Sequence, residues 1–195
     1  GADDRPDTLW RVRPRRIVLA AGAIERPLPF SQNDLPGVMS AQAGLSYLRR
    51  HAVLPGERIV VATNNSTTVE VARAMADAGA SVTLIDRRPQ VTSPEGVACR
   101  PGRSIRRALG RERVTGVVLD DGTRLDCDCL LVSGGMTASI HLYAQARGKL
   151  VWDARRLSFV PGADVPGVTV VGAAAGHFSL PEAFAALAGA LKGTA

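Results

Sequence analysis

The residues best placed for chemistry stand where apolar runs stop. Arg58-Ile59-Val60-Val61-Ala62 leads into Thr63-Asn64-Asn65-Ser66-Thr67-Thr68, and a helical pattern follows to about Ala78. A strand, a tight turn and a helix in this order make the cradle of a dinucleotide pyrophosphate, normally through Gly-x-Gly-x-x-Gly. Here Thr63, Asn65 and Thr68 hold the three glycine places. The second glycine ordinarily lets a pyrophosphate touch backbone N–H groups, and Asn65 puts a side chain in that space. Thr68 brings a branched Cβ to the point where helix and strand pack closely. Asp86 follows the next apolar run, Ser81-Val82-Thr83-Leu84-Ile85, at the place of an acid that bonds a ribose 2′-hydroxyl about 20 residues on. Arg87 and Arg88 come next and suit phosphate. The turn is open to two interpretations: a module that kept its fold while its nucleotide site was lost or altered, or one that binds through Thr63, Asn65 and Asp86.

Three more turns of small residues end apolar runs: Ala21-Gly22-Ala23, Ser133-Gly134-Gly135 and Gly172-Ala173-Ala174-Ala175-Gly176. Cofactors bind at the carboxyl edge of a parallel sheet, where a bulky side chain would hold them away. Ala21, Gly22, Gly134, Gly172 and Ala173 are therefore candidate cofactor contacts. No catalytic acid–base or nucleophilic set stands out, and no Ser lies in a Gly-x-Ser-x-Gly elbow. His51 closes a helix and His141 sits between Ile140 and Leu142, both in structural settings. His177 precedes the last helix, where a ligand's negative group or a local bond would suit it. Cys127 and Cys129 have ligand-like spacing but no second pair. With Leu125 they are expected on one inward face of a half-buried strand, so no metal is expected.

These residues need elements to hold them. Leu9 to Val12 and Arg16 to Ala20 read as strands, the second covered on both faces. The proline-bearing stretch from Glu25 to Gly37 reads as a linker. Ser40 is a helix cap, with Ala41, Leu45, Leu48 and Ala52 as one apolar stripe. Arg58 to Ala62, the helix stopping at Gly79, and Ser81 to Ile85 form a βαβ unit with a parallel pair. Residues 89–103 show no pattern beyond short strand and loop. Val114 to Leu119, the turn Asp120-Asp121-Gly122 and Thr123 to Asp128 read as a hairpin, and Cys129 to Val132 as a further strand. Val168 to Val171 precedes a helix with Ser179 and Glu182 as capping box and Phe184, Leu187, Ala188 and Leu191 as its buried stripe.

Composition narrows the class. The 195 residues are 46% hydrophobic and 22% charged, a globular balance. No apolar run approaches the roughly 20 residues of a membrane span, and Gly1-Ala2-Asp3-Asp4 is unlike a secretory signal. A sparse, odd set of three cysteines fits a reducing, cytoplasmic compartment. The net charge is +6. The arginines are scattered in pairs and aromatics are only 4%, which argues against nucleic acid and for anionic cofactors.

Several motifs carry a resemblance: "IVLAAGAIERPLPF" from Ile17, "NDLPGVM" from Asn33, "PGERIVVATNN" from Pro55, "CLLVSGG" from Cys129 and "VVGAAAGHFSL" from Val170. The chain resembles the alpha subunits of heterotetrameric sarcosine oxidases over nearly its whole length, the Thr-Asn-Asn turn included. Parts of the pattern are shared by subunits of amino-acid, opine and cyanide-forming dehydrogenases. The resemblance implies an α/β, three-layer Rossmann-like module inserted into a second, partial dinucleotide-binding domain. Residues 1–35 and 136–195 would form the latter part of the FAD/NAD-type domain, and 36–135 the insert. It also implies a fragment, since the family's glycine-rich βαβ turn and folate-binding region are not matched. The implied activity is oxidative demethylation of sarcosine to glycine, with the methyl carbon passed to tetrahydrofolate and oxygen reduced to hydrogen peroxide. NAD would lie on the alpha subunit, and FAD and FMN elsewhere in the complex, the amine-oxidising flavin mainly on the beta subunit. Gly22 and Gly172 match glycines of the family's strand turns. Ala173 stands where many flavoproteins place an Asp.

Overall fold

The computed structural model describes residues 8–192, with side chains to residue 189. Along the chain come β1 (Ile17–Leu19), β2 (Ala23–Glu25), β3 (Val38–Ser40), α1 (Ala41–His51), β4 (Arg58–Thr63), α2 (Thr67–Asp77), β5 (Ser81–Asp86) and β6 (Ala98–Pro101). There follow β7 (Ile105–Gly110), β8 (Val114–Leu119), β9 (Arg124–Asp126), β10 (Cys129–Ser133), β11 (Met136–Ala138), α3 (His141–Gln145), β12 (Leu150–Asp153), β13 (Ser158–Pro161), β14 (Val168–Val170) and α4 (Leu180–Lys192). The chain divides into two compact units, Ala23–Thr137 and the flanking Gly1–Gly22 with Ala138–Ala195. Residues 23–35 thus belong with the inserted unit and are no linker. Leu28, Phe30 and Leu35 explain why, since they pack on its core around Val60, Ile85 and Leu130.

The inserted unit is a Rossmann-like α/β layer structure. Its five-stranded sheet runs β3-β10-β4-β5-β6, all neighbours parallel. β4 and β10 are buried along nearly their whole length, as central parallel strands must be. Side chains alternate between its faces. Ile59, Val61, Leu84 and Leu131 meet Leu45, Val71, Ala72 and Met75 of α1 and α2. Val60, Ala62, Ile85, Leu130 and Val132 meet Ala108, Val117 and Leu119 of the antiparallel sheet β7-β8-β9. Burying each larger side chain stabilises by roughly 1.5–3 kcal/mol.

Local signals set the helix limits. Ser40 Oγ accepts from Ala43 N at 3.3 Å, and Glu25 Oε2 from Gln42 N at 2.8 Å, so two first-turn N–H groups are capped. α1 ends on Ala52, a left-handed exposed residue and not part of the apolar stripe. α2 ends at Gly79, whose φ of +97° lets Ala80 N bond Met75 O.

The flanking unit is thinner. β1 pairs in parallel with β14 in a two-stranded sheet. Its other pieces are the β12–β13 hairpin, with Trp152 edge-on to Phe159, then α3 and α4. Ile17 and Val18 are about half exposed (43% and 55%), so β1 is not covered on both faces. Leu9 to Val12 is exposed and forms no strand. Ser179 Oγ accepts from Glu182 N at 3.4 Å and starts α4 as expected. Of the expected stripe Leu187 is half-buried, whereas Phe184 and Ala188 are exposed. The side chain of Leu191 lies outside the described residues.

The two neighbouring cysteines are separated. β9 ends before Cys127 and β10 begins at Cys129, in different sheets. Asp128 turns out between them to accept from Arg58 N at 3.0 Å. Cys127 therefore enters the core on one side of the parallel sheet and Cys129 the core on the other. Burial pushes both thiols up to about 12.

Candidate dinucleotide site

The eight candidate residues fall into two groups, one in each unit. Thr63, Asn65, Asp86 and Gly134 gather at the carboxyl edge of the inserted unit's parallel sheet, because β4, β5 and β10 are adjacent, parallel and in register. Ala21, Gly22, Gly172 and Ala173 lie just after β1 and β14, which are also adjacent and parallel.

In the inserted unit the protein's own groups take the ligand-facing positions. Asn65 Nδ2 donates to the carbonyl and to Oγ of Ser133, each at 3.2 Å. Its Oδ1 accepts from Thr67 Oγ1 at 2.6 Å and Thr68 Oγ1 at 3.1 Å. Thr63 and Thr68 hydroxyls bond each other at 3.0 Å, and Asn65 N donates to Thr63 Oγ1 at 3.1 Å. The three places that would be glycine are thus linked in one side-chain network reaching β10.

Asp86 is fully buried, with both carboxylate oxygens turned to Arg88. Its Oδ1 accepts from Arg88 Nε at 3.0 Å and Arg88 N at 2.9 Å, and its Oδ2 from Arg88 Nη2 at 2.7 Å. That fork-to-carboxylate pair raises the Arg88 pKa, chiefly through the hydrogen bonds to Asp86. Arg88 Nη1 goes on to Ser66 Oγ at 2.7 Å, at the entry of α2.

Gly134 is small for an internal reason. A Cβ there would come within 2.9 Å of Pro27 O, and Gly134 N donates to Arg26 O at 2.7 Å. Two cavities lie beside this edge: one of about 80 Å³ lined by Leu28, Phe30, Ala62, Thr63, Ile85 and Arg87 among others, and one of about 180 Å³ lined by Glu25, Leu28, Phe30, Met39, Ser40 and Val132 among others. Ligand sites are typically roughly 300–1,000 Å³. The residues of this edge do not fit a dinucleotide.

The turns of the flanking unit differ. Gly22 (φ +76°) and Gly172 (φ +65°) are left-handed, and a Cβ built on either would meet nothing within 4 Å. Gly172 opens a short 3-10 turn ending at Gly176, which Arg156 fastens through Nε to the Gly176 carbonyl at 2.6 Å. Arg156 is paired in turn with Asp153. The backbone N–H of His177 donates to Gly172 O at 3.2 Å. Glycines in this conformation, with open space over two parallel strand ends, fit the close approach of a nucleotide backbone. Ala173 offers no hydroxyl-binding carboxylate.

Residue types alone did not reveal Ser66, Ser133 or the clamp made by Arg88. The available signal was an Asp at a strand end with an Arg two residues on, a spacing that closes a turn around the carboxylate. Among the described residues no group of three or more His, Cys, Asp or Glu could hold a metal ion, and no helix is long and apolar enough to cross a membrane.

Small-residue turns at the carboxyl ends of parallel strands are where open α/β sheets bind their ligands. The chain belongs to the pyridine nucleotide-disulphide oxidoreductase family, which matches residues 10–183. It is similar to sarcosine oxidase subunit alpha of Corynebacterium sp. (strain P-1), 34% identical over 218 aligned positions that take in 100% of this chain and 22% of that protein. The same subunit of Rhizobium meliloti (strain 1021) is 35% identical, over 87% of this chain and 18% of that one. Among solved structures, L-proline dehydrogenase from P. horikoshii matches with a TM-score of 0.65 and 27% identity, covering 82% of this chain and 30% of that one. The chain thus spans about a fifth of the length of the curated relatives it matches.

Proposed function

We propose that this chain is a part of the alpha subunit of a sarcosine-oxidase-type enzyme, in which it seats a dinucleotide and contacts partner subunits. The reading is carried by the open, left-handed Gly22 and Gly172 at adjacent parallel strand ends, in a chain similar along its whole length to sarcosine oxidase alpha subunits. NAD would lie over these two turns. The backbone at Ala21, Gly22, Gly172 and Ala173 would hold it, and the smallness of those residues would let it approach. Amine oxidation would be carried out by flavin on a partner, the beta subunit above all, and this chain would supply no catalytic side chain. Sarcosine would be the amine, tetrahydrofolate the one-carbon acceptor, and FAD and FMN the flavins of a cytoplasmic heterotetramer. The exposed apolar residues Ile17, Val18, Leu180 and Phe184 support a role in contacting further polypeptide.

A second amine, proline, is favoured by the match to L-proline dehydrogenase. Nucleotide binding is tested by thermal shift with NAD, NADP and FAD. A ligand at a hundred times its dissociation constant adds about 2.7 kcal/mol. A shift with NAD that Gly22→Val abolishes is expected, and no shift with any of the three counts against the reading. In the assembled enzyme, sarcosine-dependent hydrogen peroxide is expected. Reduction of the flavin by proline and not by sarcosine would select the second amine.

A further inference from the structure

The inserted unit keeps the whole frame of a dinucleotide module: β4, the turn, α2, and an acid at the end of β5. What the frame holds is made of protein. Asp86 stands where an acid would take ribose hydroxyls, and it faces the Arg88 guanidinium. The entry of α2, which would meet the pyrophosphate, receives the same guanidinium through Ser66. The space above the turn, where a second glycine would admit phosphate oxygens, is crossed by the Asn65 side chain on its way to Ser133.

We propose that Arg88 is the resident occupant of this cradle, bridging Asp86 to Ser66 while Asn65 closes the turn onto Ser133, so that the module is a permanently filled scaffold that takes no dinucleotide. Charge supports the assignment. A buried carboxylate needs a counter-ion, and a planar guanidinium meets both its oxygens at once. In an ordinary module the carboxylate bonds ligand hydroxyls. Here Arg88 satisfies it with no ligand, and displacing Arg88 would leave Asp86 buried and uncompensated. The inference rests on the family reading above, and it assigns any nucleotide to the flanking unit.

The test has two arms on the whole chain. In the first, Arg88→Ala is expected to lower Tm by about 5–10 °C, and Asp86→Asn with Arg88→Ala to recover at least half of that loss, since the unpaired charge is gone. Should Arg88→Ala fail to fold, Arg88→Lys, which keeps the charge and loses the fork, is expected to lower Tm by a few degrees. An unchanged Tm in the Arg88 variant that folds overturns the proposal. In the second arm NAD and NADP are titrated against the wild type, Asp86→Asn and Asn65→Ala. A nucleotide shift of the same size in all three is expected. A shift present in the wild type and lost in a folded Asp86 or Asn65 variant overturns the proposal. A wild type that shows no shift counts against the Gly22–Gly172 seat, and the Arg88 arm then decides this proposal alone.

Discussion

The two units meet the same problem, what to put at the carboxyl end of a parallel strand, with opposite answers. In the inserted unit the ends of β4, β5 and β10 are occupied from within: Asn65 on Ser133, Arg88 on Asp86, and Gly134 under the carbonyl of Pro27. In the flanking unit Gly22 and Gly172 look onto open space. The cores differ in the same direction. The inserted unit buries side chains on both faces of a five-stranded sheet, whereas the flanking unit rests on two strands with half-exposed valine and isoleucine. On the reading proposed here a dinucleotide fold is kept for its architecture while side chains fill its binding turn.

The largest effect expected from breaking this contrast is in the cores. Leu131→Ala, at a fully buried position of β10, should cost about 2–5 kcal/mol in urea unfolding, and Phe184→Ala on exposed α4 under about 0.5 kcal/mol. Equal costs would erase the distinction between the units. Next come the glycines. Gly134→Ala drives a Cβ to 2.9 Å from the Pro27 carbonyl and should cost about 1–3 kcal/mol. Gly22→Ala meets no atom and should cost only its left-handed strain, about 1 kcal/mol. Chemical denaturation of both variants orders them.

A further effect, set by pH, concerns the thiols. Cys127 and Cys129 are held up at about 12 by burial, and burial also raises Cys99, which is only partly covered. At pH 8 a disulfide reagent should label Cys99 first, and the other two only after unfolding. The sign for stability follows. Above about pH 8.5 the unfolded chain loses these thiol protons while the folded chain keeps them, so stability should fall as pH rises from there toward 12. Cys127→Ala should flatten that slope. A Tm unchanged between pH 8 and 10 would contradict the assigned burial.

Much of the inserted unit was legible in the sequence. Runs such as Ile59-Val60-Val61 and Leu130-Leu131-Val132 read as central strands because they are short, apolar throughout and bounded by turn residues, and Gly79 stops its helix for a backbone reason. β7 escaped notice because Arg106 and Arg107 interrupt its apolar pattern, although β8 pairs along it. In the flanking unit periodicity misled: the stripe of α4 and the run after Arg16 look buried but are not within this unit. At the site, the loss of the glycines could be read, but not what replaced them. The partners Ser133 and Asn65 are distant in sequence, and only the parallel pairing of β4 with β10 brings them together.

Hydrogen exchange with and without NAD tests the central claim most directly. Protection at residues 21–23 and 172–176, with residues 63–68 and 86–88 equally slow in both conditions, is the predicted result. NAD-dependent slowing at 63–68 or 86–88 would contradict it.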